Sequence, residues 1–148
     1  GAFQHGHTYL GHAIACAAAL EVQRTIEDDG LIQNVQQRGA QLLAALRERF
    51  ANHPNVGDVR GRGLFAGVEL VADRASKAPL NPALRTHAKL KKIAMQGGLL
   101  VYPMGGTVDG RSGDHVLLAP PFIVSAVEIE AIVARLAVAI DRSMEELA

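Results

Sequence analysis

The sequence is poor in several residue types, and each shortage excludes something. The 148 residues include one cysteine, Cys16, so no disulfide can form within the chain. Its 15 basic and 15 acidic side chains cancel, which argues against nucleic acid and anionic membranes as main partners. The longest apolar run, 13–20, is far shorter than the roughly 20 residues of a membrane-spanning helix. With no recognisable signal peptide, the predicted location is the cytoplasm, with Cys16 buried as an inert thiol.

The remaining composition, 49% hydrophobic and 20% charged, is typical of a folded α/β or α-rich protein. The chain starts with Gly1, and its first residues resemble the middle of an element. This predicts that the chain is a segment of a longer protein. The order of patterns indicates two long helices followed by a smaller α/β unit, with a boundary near residue 54.

Hydrophobic periodicity and capping residues predict four helices. The first, 9–27, is dense in alanine, and we expect it to be buried on most sides. The second helix, 31–50, is predicted from an apolar stripe. The third, 81–96, starts at Asn81-Pro82 and is followed by Gly97-Gly98 as its stop. The fourth starts at Ser125, which forms a capping box with Glu128.

Strand patterns occupy the region between and after these helices. Residues 56–71 alternate with a period of two, and the four glycines in this stretch indicate a bend or a second backbone passing close by. Short strands are predicted at 99–102 and 116–119. They flank the Gly-rich loop 103–114, which is too long for a simple hairpin turn and is therefore a candidate functional element.

A polar cluster, HGHTY, stands directly before the first helix. Its histidines suggest zinc, but their spacing does not place them on one helix face, and no cysteine or carboxylate stands at ligand spacing. Free N–H groups at a helix start favour phosphate, and Thr8 adds a hydroxyl. From spacing alone, Thr8 as an ordinary N-cap is favoured, and phosphate binding remains the alternative.

Three arginines stand in glycine-rich surroundings, which makes them candidates for either of two roles. Arg60 and Arg62 flank Gly61, and Arg111 lies in the long loop. We expect each to form a surface ion pair. Binding of a carboxylate ligand is the alternative, because a guanidinium group matches a carboxylate with two parallel hydrogen bonds.

Three segments together carry a family resemblance over nearly the whole chain. They are FQHGHTYLGHAIACAAALEVQ (3–23), VGDVRGRGLFAGVELV (56–71) and GLLVYPMGGTVDGRSGDHVLLAPPFIV (98–124). In this order they closely resemble the C-terminal part of class III aminotransferases, the pyridoxal-phosphate enzymes of fold type I that include ω-transaminases.

The resemblance implies an α/β fold in which long linking helices are followed by a small domain with a short, mainly antiparallel sheet. Residues 1–54 would end the large cofactor domain and form the linking helix, and residues 55–148 would form the small domain. The intact enzyme would be a homodimer with a shared active site, transferring an amino group between an amine or amino acid and a keto acid. Thr8 matches the threonine that binds the phosphate of pyridoxal 5'-phosphate in the neighbouring subunit, with His7 and Tyr9 beside it.

The resemblance also implies what this segment does not contain. The family's Schiff-base lysine and the aspartate that pairs with the pyridine nitrogen precede HGHTY, so the segment alone is expected to be inactive. Many relatives carry a carboxylate-binding arginine where this chain has Leu117 or Tyr102. Arg111 is the hypothetical replacement, and Tyr102 is the second candidate substrate-binding residue. Competing hypotheses are a different chemistry on the same fold (decarboxylation, racemisation, aminomutase activity) or a non-catalytic dimerisation fragment.

Overall fold

The structure is a computed structural model, and it describes residues 1–146. One antiparallel sheet, with strand order β1-β2-β4-β3, packs together with three of the helices around a single hydrophobic core. In chain order the elements are α1 (Ala13–Asp28), α2 (Leu31–Arg49), β1 (Val56–Arg62), β2 (Phe65–Leu70), a 3₁₀ turn (Pro82–Leu84), α3 (Thr86–Gln96), β3 (Tyr102–Gly105), β4 (Asp114–Leu118) and α4 (Ala126–Glu145).

The stretch predicted as one strand, 56–71, is a hairpin. β1 pairs antiparallel with β2, and the chain turns at Gly63, whose φ of +56° is accessible to glycine at little cost. The inward positions of β2, which include Val68 and Leu70, are buried as the alternation predicted. Glycine also permits the close pairing, because a Cβ at Gly61 would overlap the backbone of Phe65.

The second helix, α2, forms as predicted and supplies one side of the core. Leu42, Leu46 and Phe50 are buried at helical spacing. At the other edge of the buried face, a Cβ at Gly39 would overlap the backbone of Gly63. The helix therefore crosses the β1–β2 turn in direct backbone contact, which the two glycines make possible.

The predicted third helix is interrupted. Asn81 does cap a turn, since its side chain accepts a hydrogen bond from the Ala83 N–H at 3.0 Å, but only a 3₁₀ turn follows. Arg85 then adopts a left-handed conformation with φ of 50°, which a continuous helix cannot contain, and α3 starts after it. Gly98, with φ of +73°, ends α3 where the sequence predicted.

The fourth helix begins with the predicted capping box. The Ser125 hydroxyl accepts from the Glu128 N–H at 3.3 Å, and the Glu128 carboxylate accepts from the Ser125 N–H at 2.7 Å. The bond from the Ser125 N–H, followed by the interaction of the Ser125 hydroxyl with the carboxylate, lowers the pKa of Glu128 below its ordinary value. Ile129, Leu136 and Ile140 then line the buried face of α4.

The first helix departs from prediction in two ways. It begins at Ala13, four residues later than Tyr9, and none of its residues is buried. Cys16 is therefore exposed, and the expectation of a buried thiol was wrong for this structure. Among the described elements α1 packs mainly on α2, so its small side chains have little surface to bury against. No helix in the described part of the chain is long and apolar enough to cross a membrane.

The resulting fold matches the expected class: linking helices followed by a small α/β unit with a short antiparallel sheet. The proposed boundary at residue 54 stays a prediction.

Candidate functional site

The segment before α1 forms a closed turn. The Leu10 N–H donates to the His7 carbonyl at 3.0 Å, and the His12 N–H donates to the Tyr9 carbonyl at 3.1 Å. Gly11, with φ of +76°, keeps the helix from extending backwards. The N-cap of α1 is His12, whose side chain makes no capping hydrogen bond. The expectation that Thr8 is an ordinary N-cap was therefore wrong, because Thr8 lies in the turn rather than at the helix boundary.

The groups in this turn suit a phosphate. His7, Thr8 and Tyr9 are all exposed, and within residues 1–146 the Thr8 hydroxyl makes no hydrogen bond to another side chain or to the backbone. The first turn of α1 contains no acidic residue. Its first N–H groups have no partner inside the helix, and they carry the positive end of the helix dipole. A hydroxyl, an imidazole and backbone N–H groups make a donor set for an anion.

The neighbouring histidines make ring contacts. The ring centroids of His5 and His7 are 5.1 Å apart, and those of Tyr9 and His12 are 5.7 Å apart. Within residues 1–146, no three His, Cys, Asp or Glu side chains are grouped in a way that could hold a metal ion.

The second group of predicted site residues lies on the β3–β4 hairpin. Tyr102 is the first residue of β3, and Asp114 is the first residue of β4, so both strands are displaced from their predicted positions. The loop between the strands is shorter than predicted, 106–113, and it joins adjacent antiparallel strands. Tyr102 pairs directly with Leu117, and residues directly opposite each other share one face of a sheet.

The loop 106–113 is held together by its own hydrogen bonds. The Asp109 carboxylate accepts from the N–H groups of Ser112 at 2.6 Å and of Arg111 at 2.9 Å. These bonds, the one from Ser112 first, lower the pKa of Asp109 below its ordinary value. The Val108 N–H also donates to the Ser112 carbonyl at 2.9 Å. Arg111 thus stands on an ordered loop, with an exposed side chain.

The three arginines do not share one environment. Arg60 forms the expected ion pairs, with Asp58 at 2.8 Å and with Glu69 at 3.3 Å. No carboxylate in residues 1–146 lies within ion-pair distance of Arg62 or Arg111. The expectation of a surface ion pair is therefore confirmed for Arg60 alone.

A hollow of about 470 Å³ lies on the face of the sheet that α2, α3 and α4 leave open. Leu117 lines it, so it lies next to Tyr102. His115 also lines it, and burial, followed by the nearby charge of Arg60, lowers the pKa of His115 below 6.5. The other lining residues are Arg60, Gly61, Arg62, Phe65, Gly67, Glu69 and Thr107.

One contact at the base of the loop was missed from the sequence. The Asp114 carboxylate accepts from the His87 backbone N–H at 3.1 Å and lies 2.7 Å from the His87 ring Nδ1. Asp114 lies on the same face of β4 as Val116 and Leu118, which are buried. This alternation could have indicated a buried carboxylate that needs hydrogen-bond donors.

The predicted site residues therefore fall into two groups. Tyr102 and Arg111 belong to one hairpin, whereas His7, Thr8 and Tyr9 precede α1. No hydrogen bond or ion pair within residues 1–146 joins these two groups.

Comparison with known proteins places the chain in a family. The model of the family "Aminotransferase class-III" matches residues 1–140. An aminotransferase of Gibberella zeae is 45% identical over 91% of this chain and 27% of its own length. The taurine–pyruvate aminotransferase of Rhodobacter capsulatus is 41% identical over 99% of this chain and 30% of its own length.

A solved structure gives the same result for the fold. The (S)-enantioselective ω-transaminase of Thermomicrobium roseum superposes with a TM-score of 0.83, at 33% identity, over 97% of this chain and 30% of that one. The architecture thus matches part of that ω-transaminase. The chain belongs to the class III aminotransferases, as the resemblance predicted. It spans less than a third of the length of each of these three proteins.

Proposed function

We propose that this chain is the C-terminal segment of a pyridoxal-phosphate-dependent aminotransferase, which transfers an amino group between an amine or amino acid and a keto acid. The observation that carries the proposal is the match of residues 1–140 to the class III aminotransferases. The exposed turn with Thr8 and the hairpin with Arg111 supply groups suited to a phosphate and a carboxylate. Such groups alone do not define a reaction, since one fold supports several chemistries.

In this proposal the turn before α1 binds the cofactor phosphate. The Thr8 hydroxyl donates a hydrogen bond, while His7 and Tyr9 flank the anion and the start of α1 adds its dipole. When bound, pyridoxal 5'-phosphate supplies the electron sink for carbanion chemistry, and the protein supplies binding and orientation. The residues of the turn fit this role because His7, Thr8 and Tyr9 are exposed and no carboxylate stands in the first turn of α1.

We further propose that the enzyme is a homodimer in which Thr8 serves the active site of the partner subunit. The two groups of site residues make no hydrogen bond or ion pair with each other within residues 1–146. This separation is compatible with the two groups contributing to different active sites. The cytoplasmic location stays a prediction from the sequence.

The hairpin would contact the substrate. Tyr102 and Leu117 offer a phenol and an apolar side chain at the paired positions of β3 and β4. A substrate carboxylate would therefore be bound by Arg111, whose guanidinium group has no acidic partner within residues 1–146. The taurine–pyruvate aminotransferase is named for an amine with a sulfonate and for a keto acid with a carboxylate, and the keto acid supports this substrate class.

The test is an assay of the intact protein with amino-acid and amine donors and with pyruvate as acceptor. We expect alanine to form in proportion to the donor consumed. Release of carbon dioxide without formation of alanine would indicate decarboxylation instead of amino-group transfer. A donor recovered as its mirror image would indicate racemisation, and a donor with its amino group moved to another carbon would indicate aminomutase activity. If no donor reacted and no cofactor bound, the chain would instead belong to a non-catalytic dimerisation protein.

A further inference from the structure

The base of the β3–β4 loop is connected to α3 through one residue, His87. The Asp114 carboxylate lies 2.7 Å from Nδ1 of the His87 ring and accepts from the His87 backbone N–H at 3.1 Å. Asp114 is 4% exposed. A carboxylate only accepts hydrogen bonds, so Nδ1 of His87 is the donor. We call this pair of bonds the His87–Asp114 contact.

The His87–Asp114 contact also completes the start of α3. The N-cap residue Arg85 is in a left-handed conformation, and its side chain makes no capping hydrogen bond. The Asp114 carboxylate, on a strand 27 residues further along the chain, supplies the missing acceptor for the His87 N–H. A negative charge at a helix N-terminus is stabilised by the helix dipole. The start of α3 and the start of β4 are thus fixed to each other.

The same imidazole packs against the other end of the loop. Gly105, the last residue of β3, pairs with Asp114 across the hairpin. A Cβ at Gly105 would lie 2.5 Å from Nδ1 of His87, so only glycine fits against the ring without displacing it. The ring therefore touches both strands at the point where the loop 106–113 leaves the sheet.

The internal bonds of the loop fix its shape, but they do not fix its direction relative to the sheet. The Asp109 bonds join residues within the loop itself. The direction is set where β3 ends and β4 begins, and both of these points contact His87. Loss of the His87–Asp114 contact would therefore loosen the base of the loop, so that the loop opens more often and Arg111 leaves its position.

We propose that His87 and Asp114 are positioning residues which fix the direction in which the loop presents Arg111, and so set how strongly the enzyme binds a substrate carboxylate. This rests on the proposed function of Arg111. The two residues act through the loop and touch neither substrate nor cofactor.

The test compares His87→Ala with His87→Asn in the intact protein. Asparagine places an amide donor near the position of Nδ1, so it restores the bond that alanine removes. Hydrogen exchange of the amides of 106–113 is measured first. We expect exchange to be about tenfold faster in His87→Ala and close to wild type in His87→Asn, because exchange reports local opening. Equal exchange in wild type and His87→Ala would overturn the positioning role.

Steady-state kinetics then test the consequence for substrate. The KM for a donor with a carboxylate is expected to rise about tenfold in His87→Ala, and the KM for a carboxylate-free amine to change by less than about twofold. An equal change for both donors would overturn the link to carboxylate binding. If the wild-type protein transferred no amino group, the proposed function would be wrong, and so would the proposed effect of His87 on carboxylate binding. The exchange measurement would still decide whether His87 positions the loop.

A second pair of variants covers the case in which His87→Ala does not fold. Gly105→Ala pushes a methyl group into the His87 ring and should speed exchange in the loop. In a Gly105→Ala, His87→Ser protein the shorter side chain does not reach the positions of Nδ1 and Cε1, so the added methyl should have a smaller effect. Equal effects of Gly105→Ala in both backgrounds would contradict the packing of His87 against Gly105.

Discussion

Tyr102 lies directly opposite Leu117 on the neighbouring strands β3 and β4. These are the two positions at which many relatives are expected to carry a carboxylate-binding arginine. Because the two residues are paired, an arginine side chain at either position would project from the same region of the sheet surface. In this chain neither of the two positions carries a positive charge. We propose that Arg111, on the loop that follows β3, takes this role.

We predict that Tyr102→Arg strengthens the binding of carboxylate-bearing donors. Tyr102 is 61% exposed, so the longer side chain can be accommodated. A guanidinium–carboxylate pair should lower the KM for such donors roughly tenfold. Tyr102→Gln, which adds no charge, is the control. If both variants changed the KM equally, the charge would not be the cause.

We predict that Arg111→Ala raises the KM for amino-acid donors, about tenfold or more, and leaves carboxylate-free amines nearly unchanged. The reason is the loss of one charge-assisted contact, worth about 1.5–3 kcal/mol. Arg111→Lys keeps the charge without the planar fork and should be intermediate. An unchanged KM for amino-acid donors in Arg111→Ala would remove Arg111 from the substrate site.

His115 is predicted to titrate below 6.5, because burial and then the charge of Arg60 lower its pKa. The unfolded chain therefore binds the proton more tightly than the folded one. As the pH falls below the unfolded value of 6.5, the folded state loses stability until the folded pKa is passed, whereas above 6.5 His115 has no effect. His115→Gln should reduce this loss. NMR titration of the His115 ring, with Arg60→Gln expected to raise its pKa, checks both statements.

Gly39→Ala should destabilise the protein by about 1–3 kcal/mol, as overpacking in a tight contact does. The added methyl would overlap the backbone of Gly63, which cannot move without opening the β1–β2 turn. Gly97→Ala is the matched control, because a Cβ there would lie 3.4 Å from its nearest neighbour, the Ala94 carbonyl oxygen. Equal midpoints of urea unfolding for the two variants would contradict the close crossing of α2 over the turn.

The sequence predicted best the elements with strong local patterns. The stripe of α2, and the box formed by Ser125 and Glu128, each join residues a few positions apart, so their geometry follows from helical spacing. The alternation likewise predicted a half-buried strand, and in β2 the buried residues include Val68 and Leu70.

The errors came from single residues and from distant contacts. Gly63, one of the four glycines that indicated a bend, turns one apparent strand into a hairpin. The left-handed Arg85, which no pattern marks, delays α3. The His87–Asp114 contact joins residues 27 apart, which no local pattern reveals. The alanines of α1 predicted burial, and this was wrong, because the described residues give the helix little surface to pack against.

Thr8→Val should weaken binding of pyridoxal 5'-phosphate to the intact protein by roughly 10- to 100-fold, since a hydrogen bond to a charged group is worth about 1.5–3 kcal/mol. Thr8→Ser keeps the hydroxyl and should bind nearly as well as wild type. Equilibrium titration of the apoprotein measures the affinity. Equal affinity in wild type and Thr8→Val would exclude a phosphate contact by Thr8.

The central claim, that Thr8 serves the active site of the partner subunit, is tested most directly by mixing two defective subunits. One carries Thr8→Val. The other retains Thr8 but has the expected upstream cofactor-binding lysine replaced. At a cofactor concentration that leaves the Thr8→Val dimer empty, the mixed dimer should regain one complete site and transaminase activity. A mixed dimer no more active than either parent would show that Thr8 does not act across the interface.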